Sequence, residues 1–511
     1  MAYGRAVLAR VSTFAIDGVD PRHVCVEVDI RAGLPAFTIV GLGDVAVRES
    51  RDRIRAAILN SGFKFPDGRI TANLAPAFLR KVGPGFDAAL ALTVLAASGQ
   101  VPKAPLRSYA VFGELSLSGE LRDCAGALAV AEGARRAGLA RLIVARERAR
   151  EAAVVEGIEI VAVSSLAVAA EVLSGGQPPA LPAAHASTDH RREPDLADVK
   201  GHAPGVLALQ IAAAGGHNLL MEGAPGTGKT MLARRLPSIL PAMSRSEAIE
   251  VTRIHSVAGL RADGLITARP FRAPHHSISP AGLVGGGASP RAGEATLAHR
   301  GVLFLDELSE FQRPSLEALR QPLEDGCVTI VRGQRALVFP TRFMLVAATN
   351  PCPCGFAGVQ DRCRCGEAEL RRYRRRLSGP LVDRMDLLVN IERPTEEDLR
   401  APPTVDSAAA SVRVAQARER QHARLAGTHA RCNAEMDVRM VARHVRLDAP
   451  ADGALARAYA VGALSARGRH RVLRVARTIA DLGGHEQVVE SDLLTALALR
   501  QRGGAEEALV A

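Results

Sequence analysis

The sequence contains no tryptophan, and aromatic residues make up only 3% of its 511 residues. Proteins that bind single-stranded nucleic acid by base stacking depend on aromatic side chains. The sequence therefore argues against nucleic-acid binding by stacking of bases on aromatic residues. Lysine is also scarce, because only five of the 65 basic residues are lysines. The net charge of +11 therefore resides mainly on arginine. Spread over this length, it permits an anionic partner without requiring one.

Long apolar runs are missing as well. A membrane-spanning helix needs about 20 apolar residues, and the best candidate, Ala88–Ala97, has half that length and predicts a buried helix instead. The first residues are too interrupted by polar side chains to form the apolar core of a signal peptide. Eight cysteines are too few for a disulfide-stabilised scaffold of this length. We therefore expect a cytoplasmic protein without a membrane segment.

The remaining composition, 47% apolar and 23% charged, is typical of a globular protein. Residues 1–173 alternate strand-like and helical runs and predict an α/β or α+β domain. Residues 174–194 are rich in glycine, proline and small residues, which indicates a linker. Residues 195–395 repeat the strand–helix alternation, and residues 396–511 carry apolar residues at helical spacing.

Periodicity assigns individual elements within residues 1–173. The predicted strands are Val24–Ile30, Phe37–Gly41, Arg69–Leu74, Leu142–Ala145 and Ile158–Val163. The predicted helices are Arg48–Ser61, Phe86–Ala97 and Gly126–Ala137.

A glycine-rich motif, G-x-x-x-x-G-K-T, follows an apolar strand and precedes a helical run. In this context the motif indicates a P-loop, whose backbone N–H groups and helix N-terminus surround phosphate oxygens. Lys229 would contact the β- and γ-phosphates, and the hydroxyl of Thr230 would bind Mg²⁺. A glycine turn before an ordinary helix is the alternative interpretation. The predicted ATP-binding residues are Gly223, Ala224, Pro225, Gly226, Thr227, Gly228, Lys229 and Thr230.

Two further apolar strands end in polar residues. Val302–Leu305 is followed by Asp306 and Glu307. Asp306 would hold Mg²⁺ through water, and Glu307 would polarise the attacking water. A later strand, MLVAAT, is followed by Asn350, whose amide would sense the γ-phosphate. Alone, an Asp-Glu pair after a strand is most often just a strand leaving the core, and an asparagine there is more often a turn former. The order of the three motifs along the chain favours function.

The segments GAPGTGKT, GVLFLDEL, RPFRAPHHSISPAGLVGGG and RLSGPLVDRMDL resemble the magnesium-chelatase-like branch of AAA+ ATPases. Their pairing with an N-terminal α/β domain resembles the YifB/ComM type of that branch, bacterial proteins linked to DNA branch migration in natural transformation. The resemblance implies a P-loop AAA+ core with a helical C-terminal lid, preceded by a Lon-protease-like α/β domain.

The same resemblance implies a hexameric ring with ATP sites between subunits. Arg384, in the L-x-D-R match, would act in trans on the ATP of the neighbouring subunit. A salt bridge to Asp383 or Asp386 is the alternative for this arginine. Arg467 matches the lid arginine that reads nucleotide in cis, with Arg469 and Arg471 close enough to leave the assignment open by a residue or two.

KVGPGFDAALAL and FGELSLSGELRDCAGAL resemble the catalytic domain of Lon proteases. Gly85 stands at the position of the nucleophilic serine, and the position of its lysine partner falls near Leu128. A Ser–Lys mechanism needs both groups. We therefore expect the fold without peptidase activity.

Four of the eight cysteines crowd into 14 residues. Four thiolates can complete a tetrahedral Zn²⁺ site, although paired C-x-C spacings are tighter than the usual C-x₂₋₄-C. Free thiols in a reducing cytosol are the alternative. The candidate zinc ligands are Cys352, Cys354, Cys363 and Cys365.

Two arginine-bearing segments are candidate DNA surfaces. Asp325–Pro340 predicts a β-hairpin with Arg332 and Arg335 beside its R-G-Q-R turn. In the AAA+ branch that the chain resembles, a hairpin inserted here points into the ring channel. Residues 371–376 hold five arginines without an acidic residue among them. Contacts from arginine to phosphate give binding that is sequence-independent and sensitive to salt.

These observations predict a cytoplasmic AAA+ ATPase that uses ATP and Mg²⁺ and works as a ring on DNA, as in branch migration. A chelatase-type or MoxR-like ATPase that remodels a protein shares the same core and is the first alternative. An ATP-dependent protease is the second, and Gly85 and Leu128 argue against it.

Overall fold

The computed structural model describes residues 8–183, 194–260, 264–287, 290–332, 335–357, 362–377, 381–403, 405–462 and 464–500. The chain forms two compact units. Unit 1 contains Met1–Ser187, Ser244–Thr267 and Val331–Val338, and unit 2 contains Thr188–Met243, Ala268–Ile330 and Phe339–Ala511. Two segments of the range predicted for the ATPase core thus belong to unit 1. The predicted boundaries at 173, 194 and 395 stay a prediction, and part of the predicted linker lies outside the described residues.

Unit 1 is built on a mixed sheet flanked by helices. Its strands are β1 Ala9–Asp17, β2 Asp20–Arg31, β3 Ala36–Val40, β4 Arg69–Ala75, β5 Tyr109–Phe112, β6 Glu114–Leu115, β7 Leu121–Arg122, β8 Arg141–Ala145 and β9 Glu159–Val163. Its first helices are α1 Val45–Asn60, α2 Asp87–Ala97, α3 Lys103–Leu106, α4 Ala127–Arg136, α5 Ala149–Ala152 and α6 Leu166–Leu173. The main sheet has the order β3-β4-β2-β1-β5-β8-β9, with β1–β2 and β2–β4 antiparallel and the other pairs parallel.

The strands and helices predicted in this region are all present, with ends shifted by a few residues. Helix α2 is buried along its whole length, as its mostly apolar sequence predicts. The prediction missed the strands β1, β5, β6 and β7 and the helices α3, α5 and α6. Strand β1 alternates buried and more exposed residues over much of its length, so the period-2 signal was available in the sequence.

The second half of the chain supplies a parallel sheet, a hairpin and the C-terminal helices. Its strands are β10 Leu219–Glu222, β11 Phe271–Arg272, β12 Gly285–Gly286, β13 Arg291–Ala292, β14 Val302–Leu305, β15 Cys327–Arg332, β16 Arg335–Pro340, β17 Met344–Thr349 and β18 Leu387–Asn390. Its helices before residue 400 are α7 Ala203–Gly215, α8 Lys229–Ala233, α9 Arg245–Val257, α10 Pro280–Val284, α11 Glu294–Leu297, α12 Arg313–Ala318, α13 Arg320–Asp325, α14 Glu367–Leu377 and α15 Glu396–Arg400. The C-terminal helices are α16 Ser407–Arg424, α17 Val438–His444, α18 Ala449–Ala460, α19 Ala466–Gly483 and α20 Glu490–Ala498.

The sheet of unit 2 has the order β11-β14-β17-β10-β18, and every neighbouring pair is parallel. One of its faces shares an apolar core with α7 and the C-terminal helices, and α10, α11 and α14 contribute buried residues to a core on the other face. Because β10, β14 and β17 are adjacent and parallel, their carboxyl ends open at one edge. The P-loop, Asp306 and Asn350 follow these three ends directly.

Helix α9 lies in unit 1, although its sequence falls between the P-loop helix and β11. Arg148, which is buried, donates hydrogen bonds to the carbonyl oxygens of Gly259 (3.2 Å) and Leu260 (3.1 Å). The backbone of Gly126 donates to that of Ser256 at 3.0 Å. The segment after Ser244 therefore belongs to the core of unit 1 through buried polar contacts as well as apolar ones.

The hairpin predicted at Asp325–Pro340 is present as the pair β15–β16. Its turn residues lie outside the described part of the chain. In α14, the exposed side chains of Arg371 and Glu367 form an ion pair at 3.6 Å. An acidic residue one turn earlier on the helix therefore offsets the charge of one arginine of the run. None of the helices in the described ranges is both long and apolar enough to cross a membrane.

Candidate nucleotide-binding site

The P-loop connects β10 to α8 through a backbone that requires glycine. Gly228 has φ +87°, a left-handed conformation that side chains disfavour. A Cβ atom on Gly223 would lie 2.3 Å from the carbonyl oxygen of Ile391. The glycines of this motif therefore shape the loop, and phosphate binding by it stays a prediction.

Lys229 is buried and folds back over the loop. Its Nζ donates to the carbonyl oxygens of Gly223 (2.6 Å) and Ala224 (2.9 Å) and lies 3.3 Å from Oδ1 of Asn350. Burial lowers the pKa of Lys229. The structure thus brings together the lysine of the P-loop and the amide at the end of β17, which are 121 residues apart.

Thr230 and Asp306 meet across the sheet edge. The Thr230 hydroxyl donates to Oδ2 of Asp306 at 2.7 Å, so the two oxygens predicted to hold Mg²⁺ are adjacent. Mg²⁺ prefers oxygen ligands of this kind, with water and phosphate completing its shell. The donor set therefore fits that ion.

Glu307 is held in an unusual backbone conformation, with φ 51° and ψ 50°. Its N–H donates to Oδ1 of Asp306 at 3.0 Å. Strained residues of this kind cluster at active sites. Because of this conformation, Asp306 contacts Thr230 while the side chain of the next residue, Glu307, stays exposed.

His276 lies beside Glu307, with its Nδ1 3.4 Å from Oε2 of the carboxylate. The ring of His276 also contacts that of His275, with centroids 4.0 Å apart, and makes an edge contact with Phe311. Sequence analysis assigned no role to this histidine. The doubled His in RPFRAPHHSIS, following a strand of the same parallel sheet, was the available signal.

Tyr373 is a second residue that the sequence analysis missed. The hydroxyl of Tyr373, a buried residue of α14, donates to the backbone carbonyl of Asn350 at 2.9 Å and lies 3.1 Å from Oγ of Ser309. Burial raises the pKa of Tyr373. The neutral phenol therefore fixes the backbone at the position of the predicted sensor. A lone tyrosine inside an arginine run was the only sequence signal.

Arg384 pairs with Glu324, near the end of α13, a partner that the sequence analysis did not consider. Partial burial and the positive charges of Arg320, Arg471 and Arg467 lower its pKa. Arg467, at the start of α19, thus lies within electrostatic range of Arg384. The two arginines that the sequence analysis singled out belong to one positively charged group.

The four clustered cysteines are close together, with all four Sγ atoms within 4.8 Å of one another. Thiolates are the form in which cysteine binds metal ions. The predicted zinc ligands therefore converge on one point.

In unit 1, the position equivalent to the protease nucleophile is closed. A Cβ atom on Gly85 would lie 2.5 Å from the ring of Phe112 and 3.1 Å from Sγ of Cys124. Leu128 is fully buried in the core. A serine at position 85 would need the surrounding side chains to move, and the absence of peptidase chemistry stays a prediction.

Comparison with known proteins agrees with this architecture. Residues 195–399 match the family described as magnesium chelatase, subunit ChlI, residues 26–148 match subunit ChlI of Mg-chelatase, and residues 404–500 match the magnesium chelatase, subunit ChlI C-terminal family. The chain belongs to the magnesium-chelatase-like family. This family is related to AAA+ ATPases, and the α/β organisation with a helical C-terminal region is the one that the sequence predicted.

Three relatives show that the chain is of the YifB/ComM type within this family. The chain is 44% identical over 499 residues to an uncharacterized protein of Mycobacterium tuberculosis, covering 97% of this chain and 99% of the relative. It is 41% identical over 497 residues to the uncharacterized protein YifB of Escherichia coli, covering 96% and 97%. It is 41% identical over 507 residues to the competence protein ComM of Haemophilus influenzae, again covering 96% and 97%.

Proposed function

We propose that this protein hydrolyses ATP at the P-loop edge of unit 2. The contact of Thr230 with Asp306, beside Lys229 and the exposed carboxylate of Glu307, is the observation that carries the proposal. Lys229 would exchange its carbonyl partners for phosphate oxygens, and Asn350 would orient the γ-phosphate. Glu307 would accept a proton from the attacking water. Bound Mg²⁺, held by Thr230 and Asp306, would neutralise negative charge on the phosphates.

We further propose that Arg384 completes the site of a neighbouring subunit in a hexameric ring. An arginine supplied in trans stabilises charge as the phosphoryl group loosens. Arg384 lies within electrostatic range of Arg320, Arg467 and Arg471, and ATP bound to the neighbouring subunit would compete with Glu324 for its guanidinium. Arg467 would then act beside Arg384, and its assignment in cis stays the competing hypothesis.

The substrate that we propose for the motor is DNA, moved by ATP-driven translocation or branch migration during recombination or natural transformation. The name of the Haemophilus relative, a competence protein, supports this assignment. The hairpin β15–β16, with Arg332 and Arg335 at its turn end, and the net charge of +11 agree with phosphate contacts.

ATP turnover of the purified protein should be measured alone, with a branched DNA junction and with an unfolded peptide. We expect stimulation by the junction and a DNA affinity that falls with salt by a log–log slope of about −0.9 per neutralised phosphate. Indifference to DNA at every salt concentration would refute the DNA assignment. No turnover under any condition would refute the ATPase assignment.

A protein-remodelling ATPase of the chelatase or MoxR type is the second candidate. The matching families are described as magnesium chelatase subunits, and this observation favours the candidate. Stimulation by a peptide without stimulation by DNA would support it over the DNA motor.

A further inference from the structure

We infer that Cys352, Cys354, Cys363 and Cys365 bind one Zn²⁺ ion, and that this ion holds a loop which braces Asn350 and the P-loop. The metal site goes beyond the proposed ATPase activity. Its effect on turnover rests on that activity.

The sulfur geometry fits a single tetrahedral ion. The distances from Sγ of Cys352 to those of Cys354 and Cys363 are 3.3 and 3.9 Å, and the distance between Cys354 and Cys363 is 3.7 Å. Four sulfurs around one Zn²⁺ at about 2.3 Å lie about 3.8 Å apart. Disulfide sulfurs lie about 2.05 Å apart, and all four cysteines are free thiols.

The chemistry of the donors selects the ion. Four thiolates are soft ligands that favour Zn²⁺ over Mg²⁺ or Ca²⁺. They complete the tetrahedron and leave no position open for water, so the ion would be structural and not catalytic. The N–H of Ala357 donates to Sγ of Cys352 at 3.2 Å, the kind of outer contact that orients a metal ligand. In the described part of the chain, this is the one group of His, Cys, Asp or Glu residues with converging ligand atoms.

The cysteine loop lies directly against the nucleotide site. Gly355, between the second and third ligands, has φ +85° and approaches the P-loop so closely that a Cβ atom there would lie 2.6 Å from Cδ and Cγ of Pro225. The same Cβ would lie 4.0 Å from Cγ of Asn350. Cys352 follows Asn350 by two residues, and the carbonyl of Cys352 accepts from the N–H of Gly355 at 2.9 Å.

These contacts indicate how loss of the ion would affect the nucleotide site. A short loop that supplies all four ligands depends on the metal for a defined fold, because the free energy of metal binding stabilises the folded loop. When the ion is lost, the loop no longer fixes the surface that touches Pro225 and Asn350. Displacement of a catalytic group by about 1 Å can lower a rate by about 10²-fold.

The first test is the metal content of the full-length chain, measured by mass spectrometry for zinc and iron together. We expect one zinc per chain, loss of zinc in the double variant Cys363→Ser with Cys365→Ser, and retention of zinc in the control Cys327→Ser. The metal site is refuted by a chain without zinc, by iron in its place, or by a double variant that keeps its zinc.

The second test distinguishes loss of the ion from disruption of the contact between Gly355 and Pro225. Gly355→Ala keeps all four thiols but adds a methyl group against Pro225, so zinc should be retained while ATP turnover falls about tenfold or more. Removal of zinc from the wild-type chain by a chelator should lower turnover similarly, and added zinc should restore it. Unchanged turnover in both experiments refutes the coupling. If the wild-type chain shows no turnover, the ATPase proposal fails and the zinc content still decides the metal site.

Discussion

At the scale of single residues, the proposed nucleotide site assigns phosphate binding and activation of the attacking water to different side chains. Lys229 and Thr230 touch the loop that would hold phosphate, whereas Glu307 is exposed at the edge of the site. Under the proposed mechanism the two carboxylates that follow this strand would have different tasks, because Asp306 accepts from the P-loop hydroxyl and Glu307 is exposed.

Glu307→Gln should bind ATP normally and lose turnover by about 10²-fold or more, because a general base contributes at least that factor. Lys229→Ala should instead lose affinity for the nucleotide. Fluorescent-nucleotide binding and steady-state hydrolysis measure the two effects separately. Glu310→Gln is the matched control, since Glu310 is exposed and three residues away. Wild-type turnover in Glu307→Gln would contradict its role as the base.

His276→Ala should lower turnover about tenfold with little change in nucleotide affinity, because the ring positions the carboxylate of Glu307 and does not touch the P-loop contacts described above. His276→Asn, which keeps a hydrogen-bond donor, should recover part of the loss. His275→Ala is the control, as its ring nitrogen pairs with Ser277. Equal losses in the two alanine variants would point to a general structural role.

Gly85→Ser should destabilise unit 1 by about 1–3 kcal/mol, the usual effect of overpacking a filled core. Thermal unfolding measures the change. Gly453→Ser is the control, because the nearest atom to its added Cβ is the end of an arginine side chain at 3.4 Å. A stable Gly85→Ser chain would mean that the ring of Phe112 moves aside easily.

At the scale of elements, the parallel order of β10, β14 and β17 explains why three distant motifs meet. Sequence analysis predicted each strand and its polar end, because short apolar runs bounded by glycine or charge are local signals. It predicted the hairpin too, because alternation and a turn motif are local signals. It did not predict that α9 belongs to unit 1, because that depends on Arg148 reaching a segment about 110 residues later.

The double variant Arg332→Ala with Arg335→Ala should keep DNA-independent ATP turnover and lose strand movement, because the hairpin would no longer bind phosphates. Junction-processing assays beside hydrolysis assays measure the coupling. The control is Arg313→Ala with Arg400→Ala, two exposed arginines already paired with glutamates. Full strand movement by the hairpin variant would remove the hairpin from the mechanism.

At the scale of the whole molecule, the proposed ring makes each ATP site depend on two chains. Arg384→Ala and Lys229→Ala should each abolish most turnover alone, while Arg384→Ala still binds ATP. Mixed rings should regain part of the activity, since some interfaces then combine an intact P-loop with an intact Arg384. Mass photometry would verify that mixed rings form. Mixed rings without any recovered turnover would contradict action in trans.

The sequence by itself determined the P-loop, the Asp306–Glu307 pair, Asn350 as the end of a strand and the four cysteines as a group. Each is a contiguous pattern whose chemistry follows from the residue types and their spacing. Only the tertiary structure decided which residues surround them: His276 beside Glu307, Tyr373 behind Asn350, Glu324 as the partner of Arg384, and Gly355 against Pro225. These contacts join segments from 23 to 130 residues apart. They depend on the order of the parallel strands in the sheet, and local periodicity does not encode that order.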